Sequence, residues 1–209
     1  MNRDRIRQAA NVVAYLATVV VNALANALPL NNQTTGEIAG RFPVFFVPAG
    51  YVFAIWGVIY LLLAGFTVYQ ALPSQRENPR LRRIGYLFVA ASAANIAWLF
   101  LWHYNLFGPS LLAMAALLAS LIAIYLRLDI GRTRFSTAER WLVQIPFSVY
   151  LGWITVATIA NMTVVLFAAG WDGFGIAPEI WGIIVLFVGA GVASAVAYTR
   201  RDVAYVLVI

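Results

Sequence analysis

Five stretches of this chain contain no Asp, Glu, Lys or Arg: 8–36, 42–75, 84–126, 141–171 and 180–199. Each is long enough for a helix to cross a hydrocarbon core about 30 Å thick, which takes about 20 apolar residues. A water-soluble domain cannot cover such runs. With 63% hydrophobic residues and a mean hydropathy of +0.82, the chain implies lipid as its solvent. The stretch 84–126 has about twice the required length. It is interrupted by the turn-forming run Asn105-Leu106-Phe107-Gly108-Pro109, and so divides into two helices. Six spans follow, at about 8–29, 46–70, 84–105, 109–128, 141–169 and 179–199. Helices are expected because their backbone groups are satisfied within the segment; the alternating short strands of a membrane barrel do not occur in the sequence. The fold class is all-α, a polytopic helical bundle.

The first apolar run is a full span without a small-residue cleavage site, so it is expected to remain as the first helix. The last seven residues, Val203–Ile209, are apolar but too short to span. They either lie against the bundle or begin a seventh helix. Cysteine is absent, which excludes disulfides and thiolate metal sites, and so is lysine, which excludes a retinal Schiff base.

All 14 basic residues are arginines. Thirteen of them fall at the N-terminus, after the second span, after the fourth and after the sixth; only Arg41 lies in a connection of the other set. For six spans the positive-inside rule places both termini in the cytoplasm, and the expected location is the plasma membrane of a bacterium. The net charge of +6 is thus a topology signal, and no folded basic module is present to bind nucleic acid.

No ionisable group lies deep in a span, which weakens any reading as a proton pump or ion-coupled carrier. Amides, hydroxyls and rings take their place. Asn11, Tyr15, Thr18, Asn22 and Asn26 form one stripe of the first helix. Asn95, Trp98 and Trp102 form one of the third, and Tyr150, Trp153, Ala157 and Asn161 one of the fifth. The second helix carries Phe53, Trp56 and Tyr60. Such groups are costly against lipid, so these faces are expected to point inward. The plain alternatives are helix–helix adhesion for Asn22 and Asn26, interfacial belt duty for Trp141, Trp171 and Trp181, an interfacial hydrogen bond for His103, and close helix packing at Gly57 and Gly65.

The run Pro48-x-x-Tyr51-Val52-Phe53-x-x-Trp56-x-x-x-Tyr60-x-x-x-x-Gly65 resembles the second helix of the translocator protein family, the tryptophan-rich sensory proteins or peripheral-type benzodiazepine receptors. Asn95-Ile-Ala-Trp98, Pro109 opening the next helix, and Pro146, Trp153 and Asn161 resemble further family features, in the same order over about residues 8–168. Tyr51 stands where the family has Trp, and a sixth helix follows the usual five. The resemblance implies a five-helix domain at 1–168 with an added helix and apolar tail at 169–209. It also implies a pocket roofed by the loop Leu30 to Val47 that accepts a flat hydrophobic molecule, a tetrapyrrole or lipid. The site residues it implies, together with the stripes above, are Tyr51, Phe53, Trp56, Tyr60, Asn95, Trp98, Trp102, Tyr150, Trp153 and Asn161. No cofactor is required, although a porphyrin or haem-like ligand fits the expectation. Expected partners are a hydrophobic small molecule and membrane lipid, with a homodimer possible and nucleic acid excluded. The function implied is ligand binding for sensing or trafficking. The alternatives are a transporter or transporter subunit, or a light-dependent porphyrin-degrading enzyme. The chain contains no catalytic triad or paired carboxylates, so it reads as a binding protein before an enzyme.

Overall fold

The computed structural model describes residues 3–28, 30–44, 46 and 49–209. Among them there is no β-strand. The helices in chain order are α1 (Arg3–Ala27), α2 (Thr35–Gly40), α3 (Ile55–Ala71, entered through a 3₁₀ turn at Gly50–Ala54) and α4 (Pro79–Ile84). They continue with α5 (Leu87–His103), α6 (Phe107–Arg127), α7 (Thr137–Glu139), α8 (Ile145–Ala168), α9 (Pro178–Arg200) and α10 (Val203–Val206). Five helical segments are long and apolar enough to cross a membrane: Arg3–Ala27, Gly50–Ala71, Phe107–Arg127, Thr137–Ala168 and Pro178–Arg200. The sixth apolar helix, α5, has 17 residues. At 1.5 Å per residue it is about 26 Å long, and it packs along α1 and α6 within the same layer. Six apolar helices therefore stand where spans were expected from the charge-free runs, five of them long enough to cross a membrane, with shifted ends. The third begins later than residue 84 because Gly85 breaks the chain at φ +59, ψ −126, a conformation that only glycine adopts without strain.

The two ends of the bundle differ in charge. The end holding the termini carries thirteen arginines, several of them tied across connections. Arg7 donates to the carbonyls of Leu81 and Arg76, both at 3.0 Å, Arg82 pairs with Asp4 at 2.6 Å, and Arg80 pairs with Glu139. Hydrogen bonding to Arg82 holds the Asp4 carboxyl below its ordinary range. The opposite end holds the α1–α3 connector and the α8–α9 loop, with Arg41 set against Glu37, Asp172 and Glu179.

Packing follows the same division. In the arginine-rich half Phe66, Phe88 and Phe147 meet edge to face at centroid distances of 4.8–6.1 Å, and all three are fully buried. Before α8 the chain makes one wide π turn at Arg140–Gln144, where the Ile145 N–H donates to the Arg140 carbonyl five residues back. Pro146 follows immediately; its lack of an N–H makes a regular turn impossible there. Gly65 receives Leu142 of this turn, whose Cδ2 would stand 3.1 Å from an added Cβ. Gly57, for which close packing was also expected, has nothing within 4 Å of its Cβ position.

α9 stands at the margin. The stripe Trp181, Gly182, Val185, Gly189, Val192, Ala193 and Val196 turns inward, and nearly all other side chains are exposed. It is anchored at both ends. Near one end Trp181 donates to the Gly173 carbonyl at 2.9 Å and packs on Trp171. At the other Arg200 pairs with Asp129 at 3.1 Å. The chain then reverses through Arg201 at φ +52, and α10 folds back onto α8. The apolar tail thus lies against the bundle. Asp202 is 2% exposed. It accepts from Ser148 Oγ at 2.6 Å and Tyr125 Oη at 2.9 Å, and caps α10 through the Tyr205 N–H at 3.3 Å. Tyr205 Oη meets Thr155 Oγ1 at 3.0 Å.

This hook seats on Gly152. A Cβ there would stand 2.9 Å from the Tyr205 carbonyl oxygen and 3.1 Å from Val208 Cβ. Gly152→Val should lower stability by about 1–3 kcal/mol through overpacking, read as a lowered melting temperature in detergent. Removing residues 203–209 should abolish the difference between Val and Gly at this position; persistence of the full effect in the truncated chain would show that the hook is not what the side chain meets.

Candidate functional site

The connector that closes the open half is itself folded. Thr34 and Glu37 form a reciprocal capping box at the start of α2: Thr34 Oγ1 accepts from the Glu37 N–H at 3.3 Å, and the Glu37 carboxylate accepts from the Thr34 N–H at 2.7 Å. Ile38 on α2 is fully buried. His103 at the end of α5 fastens the connector. Its Nδ1 stands 3.2 Å from the Leu30 carbonyl and its Nε2 3.0 Å from Thr35 Oγ1. A carbonyl can only accept, so Nδ1 carries the proton and Nε2 accepts from the hydroxyl. His103 is thus a hydrogen-bonding tie, and among the described residues no cluster could hold a metal ion. Asn31 Nδ2 donates to the His103 carbonyl at 3.1 Å, and Arg41 donates to Asn105 Oδ1 at 2.6 Å.

Beneath α2 lies a cleft of about 620 Å³, bounded by α1, α3 and α5. Its ring wall is Phe53, Trp56, Tyr60 and Trp98; its polar wall is Asn22, Asn26, Thr34, Thr35 and Glu37. A smaller cavity of about 40 Å³ lies behind it and shares Thr35, Phe53, Trp56 and Trp98 with the cleft. Ala39, Trp102, Trp153, Ala157, Ala160, Asn161 and Val164 complete that inner chamber. The rings support one another: Trp56 stacks on Tyr60 at 5.5 Å and Trp98 on Trp102 at 5.8 Å, while Trp153 stands edge-on to both Trp56 and Phe53.

The three aromatic stripes and the amide stripe of α1 therefore converge. Seven of the ten residues expected at the site line one chamber or both: Phe53, Trp56, Tyr60, Trp98, Trp102, Trp153 and Asn161. Asn95 and Tyr150 are buried among the helices: Asn22 Nδ2 donates to Asn95 Oδ1 at 2.9 Å and Asn95 Nδ2 to Tyr150 Oη at 3.2 Å, a chain that joins α1, α5 and α8. Tyr51 is 82% exposed and lines neither chamber. Pro48 and Val47 lie outside the described residues. Asn161 accepts from Trp98 Nε1 at 2.9 Å and donates to Ser110 at 3.2 Å, which fixes the indole plane. Asn22 and Asn26, for which adhesion between helices was weighed first, also face the cleft. The α2 residues at the cleft are not among the expected site residues; the pattern Thr34-x-x-Glu37 is the signal that could have marked a helix start there.

Six buried side-chain polar atoms have no hydrogen-bond partner among the described residues, and two of them, Tyr60 Oη and Trp153 Nε1, belong to residues that line the chambers.

Asn95→Leu should remove the partner of Tyr150 Oη and leave Asn22 with only its bond to the Thr18 carbonyl. The expected loss is about 1 kcal/mol, measured as reduced thermal stability in detergent. Tyr150→Phe added to it should cost less than it does alone. Full additivity in this cycle would mean that the amide and the phenol are not coupled.

No curated protein and no solved structure matches the chain. The profile of one family, described as TSPO-like protein, matches residues 8–209, and thus takes in α9 and α10 together with the earlier helices. A membrane helical bundle with a tryptophan-walled cleft, matched by that profile over nearly its whole length, belongs to the TSPO-like protein family.

Proposed function

We propose that this membrane protein binds a flat hydrophobic molecule, of tetrapyrrole or lipid type, in the cleft beneath α2, for sensing or trafficking. The observation that carries the reading is the cleft itself. Its volume of about 620 Å³ falls within the range of small-molecule sites, and its walls combine rings with a few amides and hydroxyls. Trp56 and Trp98 offer faces on which a π-system can lie at low entropic cost. The arginine asymmetry supports termini in the cytoplasm, which would open the cleft toward the opposite side of the membrane.

A neutral porphyrin ester titrated into the detergent-purified chain should quench tryptophan fluorescence saturably. Trp56→Ala should weaken binding about tenfold, equivalent to about 1.4 kcal/mol, without a matching loss of melting temperature. Absence of saturable quenching, or an affinity indifferent to Trp56→Ala and Trp153→Phe alike, would sink the proposal.

A further inference from the structure

The arginine-rich end carries charge that the protein itself does not answer. The carboxylates there are Asp4, Glu77, Asp129, Glu139 and Asp202. All are engaged. Asp4 pairs with Arg82 and Arg7, Glu139 with Arg80, and Asp129 with Arg200. Glu77 stands 3.9 Å from Arg82, and Asp202 is buried against Ser148 and Tyr125. Arg83 and Arg127 are exposed, and neither forms an ion pair among the described residues.

These two arginines come together. Arg127 ends α6, and its Nη1 donates to the Arg83 carbonyl at 3.3 Å. The guanidinium lies beside the Gly85 turn, where an added Cβ would stand 3.9 Å from the same nitrogen. A single bond to a carbonyl leaves the charge of Arg127 and most of its N–H groups unused. The Arg83 side chain makes no hydrogen bond among the described residues.

From this point the outward faces of α5 and α6 run toward the other side of the membrane, and the two helices pack on each other. Ala90, Ala93 and Ala97 on α5 and Ala119, Ile122 and Leu126 on α6 are exposed, each set at the spacing of one helix face. α5 begins and α6 ends at the two arginines, and none of these residues lines either chamber of the cleft. Tyr86, 54% exposed, opens α5 at the level where a phenol suits the membrane–water boundary.

A molecule that meets both features has an anionic head and apolar chains. Phosphate fits the head, because guanidinium groups pair with its oxygens through two parallel N–H bonds. A second copy of the chain fits poorly. Two copies oriented alike in one membrane and joined by this face would set the same arginines against each other at one depth, which like charges oppose.

We infer that Arg83 and Arg127 bind the phosphate of an anionic phospholipid from the arginine-rich leaflet, with its acyl chains along the outward faces of α5 and α6. This site is separate from the cleft and does not depend on what the cleft binds.

The test counts lipid retained by the full chain in native mass spectrometry, after titration in neutral detergent with phosphatidylglycerol or with phosphatidylcholine of the same acyl chains. Wild-type protein should bind the first at least about tenfold more tightly. Arg83→Gln with Arg127→Gln should abolish that preference, and Arg83→Gln alone, which breaks no contact within the chain, should reduce it about fivefold. Arg134→Gln with Arg140→Gln, which flank α7, removes equal charge from the same end and should leave the preference in place. Melting temperatures without added lipid should match for all variants, and phosphatidylglycerol should raise that of the wild type but not of the Arg83/Arg127 pair. Inorganic phosphate in excess should not displace the lipid.

Equal affinity for the two lipids overturns the site. Equal losses in the α7 pair and the Arg83/Arg127 pair overturn it in favour of diffuse attraction to the membrane surface. Displacement by inorganic phosphate overturns the lipid as occupant. A lipid-free dimer that is lost in Ala119→Trp overturns it in favour of a second copy.

Discussion

Lipid offers no hydrogen bonds, and this constraint organises the bundle. Each amide, hydroxyl or indole N–H placed in a span must find a partner on another helix or on its own turn. Asn22, Asn95 and Tyr150 meet this demand at one level and draw α1, α5 and α8 together there. Trp98, Asn161 and Ser110 do the same one turn nearer the connector, and join α5, α6 and α8. The bonds are individually weak, about 1 kcal/mol or less. Their effect is geometric, because an amide bonded on both sides permits little rotation of the helix that carries it. Rings on the same stripes are thereby held facing one another.

Above and below that level the bundle solves different problems. Toward the arginine-rich end it is filled by Phe66, Phe88, Phe147, Ile59 and Leu63, whose side chains are wholly buried. Toward the connector the inward groups are flat and large, and they stand edge-on to each other more often than they stack. Flat rings, of which Trp98 and Trp102 are held by hydrogen bonds from their indole N–H groups, cannot collapse into one another as aliphatic side chains do, so space persists between them. The cleft is thus a consequence of side-chain shape at a particular depth and needs no separate device to hold it open. Its roof is short, yet the capping box and the His103 tie give α2 a fixed place.

Much of this was legible in the sequence, for identifiable reasons. Charge-free runs reveal spans because a charge in hydrocarbon is costly, and the arginine asymmetry orders the ends. The spacing of Asn95, Trp98 and Trp102, and of Tyr150, Trp153 and Asn161, reveals helix faces because the 3.6-residue period is fixed by the backbone. What escaped the sequence depends on contacts between distant residues. The Asp202 hook joins residues 54 and 77 positions apart through Ser148 and Tyr125. No periodicity reports that pairing, and a carboxylate beside two arginines reads as a solvated charge. Tyr51 shows the converse: the motif that carries it is apolar and aromatic, but the 3₁₀ turn at Gly50–Ala54 changes the angular step between residues and turns its ring outward, away from Phe53 and Trp56. α2 was within reach, since Thr34-x-x-Glu37 is a helix-start signal, but a six-residue helix leaves too short a pattern for periodicity to confirm.

The hook also gives the marginal sixth helix a structural role. α9 buries little of itself, so its attachment cannot come from area. It comes from its two ends, and the inner one carries Asp202 and Tyr205 onto the face of α8 marked by Gly152 and Thr155. Adjacent residues on a helix point about 100° apart, so the face that receives the hook lies next to the face that presents Trp153 to the cavity. α8 is therefore held on one side by rings and on the other by a folded chain terminus. A helix that borders empty space would otherwise be free to shift into it. Contacts on its far face resist that shift, and in this bundle they are supplied by α10, which lies within the residues 8–209 that the family profile matches.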